Sequence, residues 1–142
     1  MPISSSPPRS ASQVDANKIF SGKSLIGLYF SAHWCGPCRN FTPKLCQFYE
    51  DVAAGGELEI VFGSSDRDAA AFQEYFAEMP WKALPFGDAR VEQLKKKYGV
   101  SGIPWLVILD AEGNLVHNEA DTAVGRKAAA DCIAAWKAGN KA

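Results

Sequence analysis

The chain has 142 residues, of which 47% are hydrophobic and 22% charged, and its formal net charge is −1 at pH 7. This length suits one domain, which at this size buries about 68–70% of its unfolded surface without help from metals or disulfides. The near-zero charge provides no basic field for nucleic acid and no polybasic patch for a membrane, so neither is expected as a partner.

The first residues differ in composition from the rest of the chain. Residues 1–13 are rich in Ser and Pro, contain one Arg and no acid, and therefore predict a disordered tail. A Ser-rich, acid-poor start is also found in organellar targeting peptides, an alternative that stays open. We expect one domain over residues 14–138 and a short tail over residues 139–142. The first apolar cluster of this domain contains Val14, Ile19 and Phe20, and it fits either an edge strand or a packed loop.

The next elements are a strand and a long helix. Leu25 to Phe30 is apolar at nearly every position, which predicts a central strand that is covered on both faces. A helix is predicted from about Arg39 to Ala54, with Pro43 expected to kink it and Gly55-Gly56 expected to end it. One apolar stripe, spaced to face a sheet, contains Phe41, Leu45, Phe48 and Val52.

The remaining elements alternate between strands and helices. In chain order they are a strand over Leu58 to Gly63, helices over Asp68 to Glu78 and Ala89 to Tyr98, strands over Trp105 to Leu109 and Leu115 to His117, and a helix over Val124 to Lys137. The order β, α, β, α, α, β, β, α predicts an α/β fold with a central mixed sheet and helices on both faces.

The sequence Trp34-Cys35-Gly36-Pro37-Cys38 lies between the first predicted strand and its helix. Two cysteines at this spacing and place are typical of a redox-active dithiol. The unpaired N–H groups and positive dipole of a helix N-terminus stabilise a Cys35 thiolate, so we expect Cys35 to face water and to be the nucleophile. Cys38 lies three residues further on, and we expect it to be semi-buried and to resolve the mixed disulfide. Pro37 suits the first helical turn, and Gly36 adds no bulk between the sulfurs.

The other cysteines are not expected to take part. Cys46 follows Cys38 by eight residues, about 12 Å along a helix, which is too far for a disulfide between them. Cys46 is expected to be more exposed than Cys38, whereas Cys132 lies on an apolar stripe and is expected to be a core residue. These two cysteines and the two histidines, His33 and His117, show no paired ligand spacing, so no metal site is predicted.

Several segments together resemble one known family. Trp34-Cys35-Gly36-Pro37-Cys38 is the active-site sequence of thioredoxins. Further matching segments are Phe30 to Trp34, Glu57 to Asp68 with its Ser64-Ser65-Asp66-Arg67 end, Tyr75 to Trp81 with Pro85, and Tyr98 to Pro104. Over roughly residues 20–118 the chain thus resembles the nucleoredoxins and tryparedoxins of the thioredoxin superfamily, which implies a thioredoxin fold. That branch usually carries Pro where this chain has Gly36, and Thr where it has Trp105.

The resemblance also implies roles at the active site. Trp34 matches a surface platform beside the reactive sulfur, with core packing as the alternative. Pro104 matches a cis-proline that faces the dithiol, and the backbone of Ile103 before it would pair with an extended substrate segment. The substrate-binding residues expected on this basis are Trp34, Gly36, Pro37, Ile103 and Pro104. Trp105 either narrows the substrate groove or points into the core, whereas packing is the favoured role of Trp81.

Thioredoxins usually bury an acid six residues before the nucleophile, and in this chain that position is Tyr29, as in tryparedoxin-like chains. The proton acceptor for Cys38 would then be water, or Asp66 at the end of the neighbouring strand.

The predicted function is that of a protein-disulfide reductase, in which Cys35 attacks and Cys38 resolves. No bound cofactor or metal is needed. The expected partners are protein disulfides and an external reductant, such as a thioredoxin reductase or a glutathione-type thiol. We expect a monomer in the cytoplasm, with the nucleus as a second location. The reduction potential of the dithiol should be about −270 mV, the value typical of thioredoxin. The alternative is a redox-gated protein-interaction module of the nucleoredoxin type with little turnover.

Overall fold

The computed structural model describes residues 24–53 and 55–142. The predicted tail over residues 1–13 and the cluster of Val14, Ile19 and Phe20 lie outside the described residues, so both stay predictions.

A five-stranded mixed sheet forms the centre of the described domain. Its strands are β1 (Leu25–Ser31), β2 (Leu58–Ser64), β3 (Lys82–Ala83), β4 (Trp105–Asp110) and β5 (Leu115–His117), in the spatial order β3-β2-β1-β4-β5. β1 pairs in parallel with β2 and antiparallel with β4. All seven residues of β1 are buried because strands flank it and helices cover both faces, which confirms the predicted central strand.

Four α-helices cover the two faces of this sheet. They are α1 (Gly36–Ala53), α2 (Ala69–Phe76), α3 (Ala89–Lys97) and α4 (Ala129–Lys137), and a short 3-10 turn spans Ala120–Thr122. Helices α1, α2 and α4 pack on one face through a large core that includes Leu45, Phe72 and Trp136. α3 packs on the other face through Val91 and Leu94. The prediction of helices on both faces is confirmed.

The helix that follows the dithiol begins earlier than the sequence pattern predicted. It starts at Gly36, so Pro37 occupies its first turn, where a missing N–H costs nothing. The exposed Pro43 lies inside this single 18-residue helix. The predicted apolar stripe of this helix does face the sheet. Leu45 and Phe48 are buried, and Phe41 and Val52 are partly buried and pack against the same core.

Two further features of the fold differ from the prediction. β3 was missed, because a two-residue strand is too short to show a periodic pattern. The last helix begins at Ala129 and not at Val124, because Gly125 has a φ of 84°, in the left-handed region that ends helices. At the C-terminus, the backbone N–H of Ala142 donates to His117 Nδ1 at 3.4 Å.

Within residues 24–53 and 55–142, no helix is both long enough and apolar enough to span a membrane.

Candidate active site

The two cysteines of the CxxC sequence meet where β1 leads into α1. The backbone N–H of Cys38 donates to Cys35 Sγ at 3.3 Å, so the first turn of the helix directs a hydrogen bond at the first sulfur. Cys35 Sγ lies 3.9 Å from the carbonyl oxygen of Ile103, which can accept from its thiol. Both cysteines are free thiols in this structure. The predicted geometry of a paired dithiol at a helix N-terminus is therefore present.

Both sulfurs are less accessible than the sequence pattern predicted. Cys35 is 7% exposed, although it was expected to face water, and Cys38 is fully buried, although it was expected to be semi-buried. The two cysteines and Ala32 form a small buried cluster, against which Ile103 packs. The prediction considered only the helix α1 that carries the cysteines. In the structure, the end of β1 and the loop before β4 also cover the sulfurs.

The loop that approaches Cys35 from across the site contains a cis peptide bond. The bond between Ile103 and Pro104 is cis, as predicted, and both residues are half-buried. The Ile103 carbonyl lies beside Cys35 Sγ. The part that Ile103, Pro104, Gly36 and Pro37 play in substrate binding stays a prediction.

Trp34 lies on the surface next to the buried nucleophile. It is 49% exposed, so the alternative of core packing is wrong. Its indole N–H donates to the carbonyl oxygen of Ser65 at 3.1 Å, and the Arg67 guanidinium carbon lies 5.0 Å from the ring centroid. Two contacts from the loop after β2 thus hold an exposed aromatic face beside the dithiol.

Trp81 and Trp105, the other two tryptophans considered in the sequence analysis, contribute to packing. Trp81 is 2% exposed and meets the rings of Tyr29 and Tyr49 edge-on, which confirms its favoured role. Trp105 is half-buried, packs on the α3 face of the sheet and donates its indole N–H to Asn118 Oδ1 at 3.2 Å. Trp105 therefore packs against the core, and the alternative that it narrows the substrate groove stays a prediction.

A group of four buried hydroxyls, which the sequence analysis missed, lies beside Cys38. We call it the hydroxyl cluster, and its members are Tyr29 and Ser31 of β1, Thr42 of α1 and Tyr75 of α2. Thr42 Oγ1 lies 2.7 Å from Tyr29 Oη and 2.6 Å from Tyr75 Oη, and Ser31 Oγ lies 2.7 Å from Tyr75 Oη. Thr42 also donates to the carbonyl oxygen of Cys38 at 2.9 Å.

Part of this cluster was visible in the sequence. Tyr29 and Ser31 are two residues apart on one strand, so they share a face, and Thr42 follows Cys38 by four residues on the same helix face. Tyr75 joins them from 33 residues beyond Thr42, and no local pattern indicates that contact.

The protonation of the site follows from burial. Burial raises the pKa of the Cys38 thiol to about 11, with a further rise from its bond to Cys35, whereas its bonds to Ser31 and to the backbone of Ala32 act in the opposite direction. Burial also raises the pKa of Tyr29 and of Tyr75 above the ordinary value. The two phenols therefore stay neutral near pH 7 and act through hydrogen bonds.

Asp66, the predicted candidate for accepting the Cys38 proton, binds other groups. One carboxylate oxygen accepts from the backbone N–H of His33 at 2.7 Å, and the other accepts from the Ser64 hydroxyl at 2.8 Å. These contacts hold the segment before Trp34 against the end of β2. The structure thus brings Asp66 to His33, and its catalytic role stays a prediction.

Cys46 and Cys132 lie away from the dithiol. Cys46 is half-buried, with its sulfur 3.8 Å from the carbonyl oxygen of Glu78, and burial raises its pKa to about 11. Cys132 is fully buried in the large core, as predicted. In the part of the chain that the structure describes, no three His, Cys, Asp or Glu side chains come together as a metal site would require.

Comparisons with known proteins agree with this geometry. A family model described as thioredoxin-like matches residues 22–115. A probable nucleoredoxin 1 from Arabidopsis thaliana is 51% identical over 100 residues, which cover 70% of this chain and 17% of that protein. Tryparedoxin from Trypanosoma brucei brucei is 43% identical over 107 residues, covering 71% of this chain and 74% of that protein.

A solved structure of tryparedoxin II in complex with glutathionylspermidine matches this chain with a TM-score of 0.72 and 41% sequence identity. The match covers 76% of this chain and 76% of the tryparedoxin chain. The chain therefore belongs to the thioredoxin-like family, among relatives that include nucleoredoxins and tryparedoxins, and it has the thioredoxin fold. It spans about a fifth of the length of the nucleoredoxins it matches. Relatives with this fold, such as tryparedoxin, are oxidoreductases, which supports a general thiol oxidoreductase role.

Proposed function

We propose that this protein is a protein-disulfide reductase. The observation that carries the proposal is the hydrogen bond from the Cys38 N–H to Cys35 Sγ at the N-terminus of α1. It stabilises a thiolate at Cys35, the species that attacks a disulfide. The exposed face of Trp34 beside it gives an apolar surface for a substrate chain.

The reaction transfers two electrons to the substrate. The Cys35 thiolate attacks one sulfur of the substrate disulfide, so that a mixed disulfide forms and a first substrate thiolate leaves. Cys38 then attacks Cys35 Sγ, the mixed disulfide breaks and the second substrate thiolate leaves. Cys35 and Cys38 end as a disulfide, and the two protons of the dithiol end on the substrate thiols.

An external reductant then restores the dithiol by the reverse exchange. A thioredoxin reductase or a glutathione-type thiol are the proposed donors, and the tryparedoxin II complex with glutathionylspermidine supports a low-molecular-weight thiol as a partner of this family. The sulfur of Cys35 is the point of entry for such a thiol because Cys38 is fully buried.

The experiment that tests the proposal is dithiothreitol-driven reduction of insulin disulfides. We expect steady turnover by the unaltered protein and by Cys46→Ser, and complete loss of turnover in Cys35→Ser. Cys46→Ser is the control because it removes a half-buried thiol that lies outside the dithiol cluster. Equal rates with and without Cys35 would refute the proposal.

The rival function is a redox-gated interaction module. The observation that favours it is that Trp34, one of the most exposed large apolar side chains described, lies next to the redox pair. A partner that binds at Trp34 would sense whether the dithiol is oxidised. Negligible insulin turnover, together with reversible oxidation of Cys35 and Cys38, would favour this second function.

A further inference from the structure

The loop after β2 is held beside the active site by hydrogen bonds to three parts of the molecule. The Ser65 N–H donates to the carbonyl oxygen of Ser31 at 2.9 Å, and Asp66 Oδ1 accepts from the backbone N–H of His33 at 2.7 Å. Lys95 Nζ donates to Ser65 Oγ at 3.1 Å. Contacts with β1, with the segment that follows β1 and with α3 thus fix the position of this loop.

Arg67 belongs to the same loop and brings a positive charge to the exposed face of Trp34. Its guanidinium carbon lies 5.0 Å from the centroid of the Trp34 ring, and both side chains are exposed. A cation–π contact uses the charge of the guanidinium but none of its N–H groups. These N–H groups remain available to a carboxylate, and a guanidinium can bind both carboxylate oxygens at once.

No acid of the described residues competes for this guanidinium. In the part of the chain that the structure describes, Arg67 forms no ion pair with a carboxylate. Its two acidic neighbours in the sequence bind other groups. Asp66 accepts from the two groups described above, and Asp68 caps α2 by accepting from the Ala71 N–H at 2.8 Å. A carboxylate of a substrate can therefore pair with Arg67 without displacing one from the described chain.

The reactive sulfur and the guanidinium are close enough to contact one substrate segment. Trp34 directly precedes Cys35, and Arg67 lies over the Trp34 ring. An extended substrate chain advances about 3.4 Å per residue, so three residues span about 10 Å. A substrate whose disulfide meets Cys35 and whose chain lies on Trp34 thus brings a residue within three positions of its cysteine to Arg67.

We propose that Arg67 is a specificity-determining residue that selects protein disulfides with an acidic residue close to the attacked cysteine. The inference rests on the proposed disulfide reduction and deepens it by naming a substrate class. The guanidinium pairs with the substrate carboxylate while Cys35 Sγ bonds to one substrate sulfur and the other sulfur leaves as a thiolate. A substrate with a lysine at the same position is repelled, which adds to the discrimination.

The test uses three peptides that differ in a single residue. Each peptide has one cysteine, followed two positions later by glutamate, glutamine or lysine, and is supplied as its symmetric disulfide. The protein carries Cys38→Ser, so that the reaction stops at the mixed disulfide on Cys35, and mass spectrometry at low ionic strength gives its rate. Division by the rate of the same peptide with 2-mercaptoethanol corrects for intrinsic reactivity.

We expect the glutamate peptide to react about three- to tenfold faster than the lysine peptide, with the glutamine peptide between them. This factor corresponds to one exposed ion pair gained and one repulsion avoided. Added salt should decrease the preference because it screens exposed charges. Arg67→Gln should remove most of the preference, and Arg67→Glu should reverse it in favour of the lysine peptide.

Lys97→Gln is the matched control, because it removes the same charge from a second exposed cation that lies over an aromatic ring. Lys97 Nζ lies 5.4 Å from the centroid of the Tyr98 ring, and this pair does not involve Trp34. The preference for the glutamate peptide should remain in Lys97→Gln. An equal loss of preference in Lys97→Gln and Arg67→Gln would overturn the inference, since net charge alone would then explain the selection.

The ratio between peptides also separates charge recognition from mere support of Trp34. If Arg67 only held the indole in place, Arg67→Gln would slow all three peptides by the same factor and keep their ratio, which would overturn the inference. Normal insulin turnover without any preference among the peptides would overturn the selection and leave the proposed function standing. A preference in adduct formation with negligible insulin turnover would support the selection and refute the reductase.

Discussion

Trp34 is the exposed residue on which substrate affinity most depends in this account. Replacing it by Ala removes the apolar face beside Cys35 and leaves the dithiol contacts in place. We expect KM for insulin to rise by about five- to tenfold with little change in kcat, since an aromatic contact is lost in ground state and transition state alike. The free energy of unfolding should change by about 0.5 kcal/mol or less. Steady-state insulin kinetics and urea unfolding measure the two effects.

Leu115 provides the matched control for Trp34. Both side chains are 49% exposed, and Leu115 lies on the edge strand β5. Leu115→Ala should leave KM unaltered. If Leu115→Ala raised KM as much as Trp34→Ala, or if Trp34→Ala left KM unaltered, the proposed role of Trp34 in substrate binding would be wrong.

Single residues also show how far the sequence alone could predict the site. The identity and spacing of Cys35 and Cys38 were predictable, because a strand-to-helix junction gives a CxxC pair a fixed geometry. Their burial was not, since it depends on Ile103, 68 residues after Cys35. The hydroxyl cluster was missed for the same reason: Tyr75 contributes its hydroxyl from a different helix.

At the scale of elements, His117 links β5 to the C-terminal end of the described chain. It is 6% exposed, and its Nδ1 accepts from the Trp136 indole N–H at 3.1 Å and from the Ala142 backbone at 3.4 Å. Protonation of Nδ1 would remove both acceptor contacts. Burial, helped by the charge of Lys141 and opposed by that of Asp121, lowers the pKa of His117 below its usual 6.5.

This lowered pKa predicts a loss of stability in mild acid. The unfolded chain takes up a proton at His117 as the pH falls through about 6.5, whereas the folded chain does so only at lower pH. The free energy of unfolding should therefore decrease below about pH 6.5, down to the folded pKa. Urea unfolding across this range measures the slope. In His117→Asn, the decrease of the free energy of unfolding that His117 causes over this pH range should be absent. In His33→Asn, the same decrease should remain.

A parallel decrease in the unaltered protein and in His117→Asn would contradict this assignment. His33 is the matched control because it is the other histidine of the chain, and it is half-buried beside the ring of Tyr75.

Elements with a long periodic pattern were predicted well, and short or irregular ones were not. β1 and the stripe on α1 follow from local apolar spacing. β3 exists only because Lys82 and Ala83 pair in parallel with β2, so its two residues carry no signal of their own. The segment before α4 looks helical by composition, but Gly125 adopts a left-handed φ that the apolar pattern does not reveal.

At the scale of the whole molecule, the fold was predictable because two kinds of information agreed. The order of elements predicted a mixed sheet with two covered faces, and the WCGPC sequence resembled thioredoxins. Long-range packing then decides what neither source contains, such as the dry surroundings of Cys38 and the support of Trp34 by Ser65 and Arg67.

The central claim is that Cys35 attacks and Cys38 resolves, and trapping of the mixed disulfide tests it most directly. The Cys38→Ser variant, mixed with insulin, should accumulate a covalent adduct that peptide mass spectrometry locates on Cys35. Cys35→Ser should give no such adduct, because Cys38 is fully buried. An adduct on Cys38 in Cys35→Ser, or none on Cys35 in Cys38→Ser, would contradict the account.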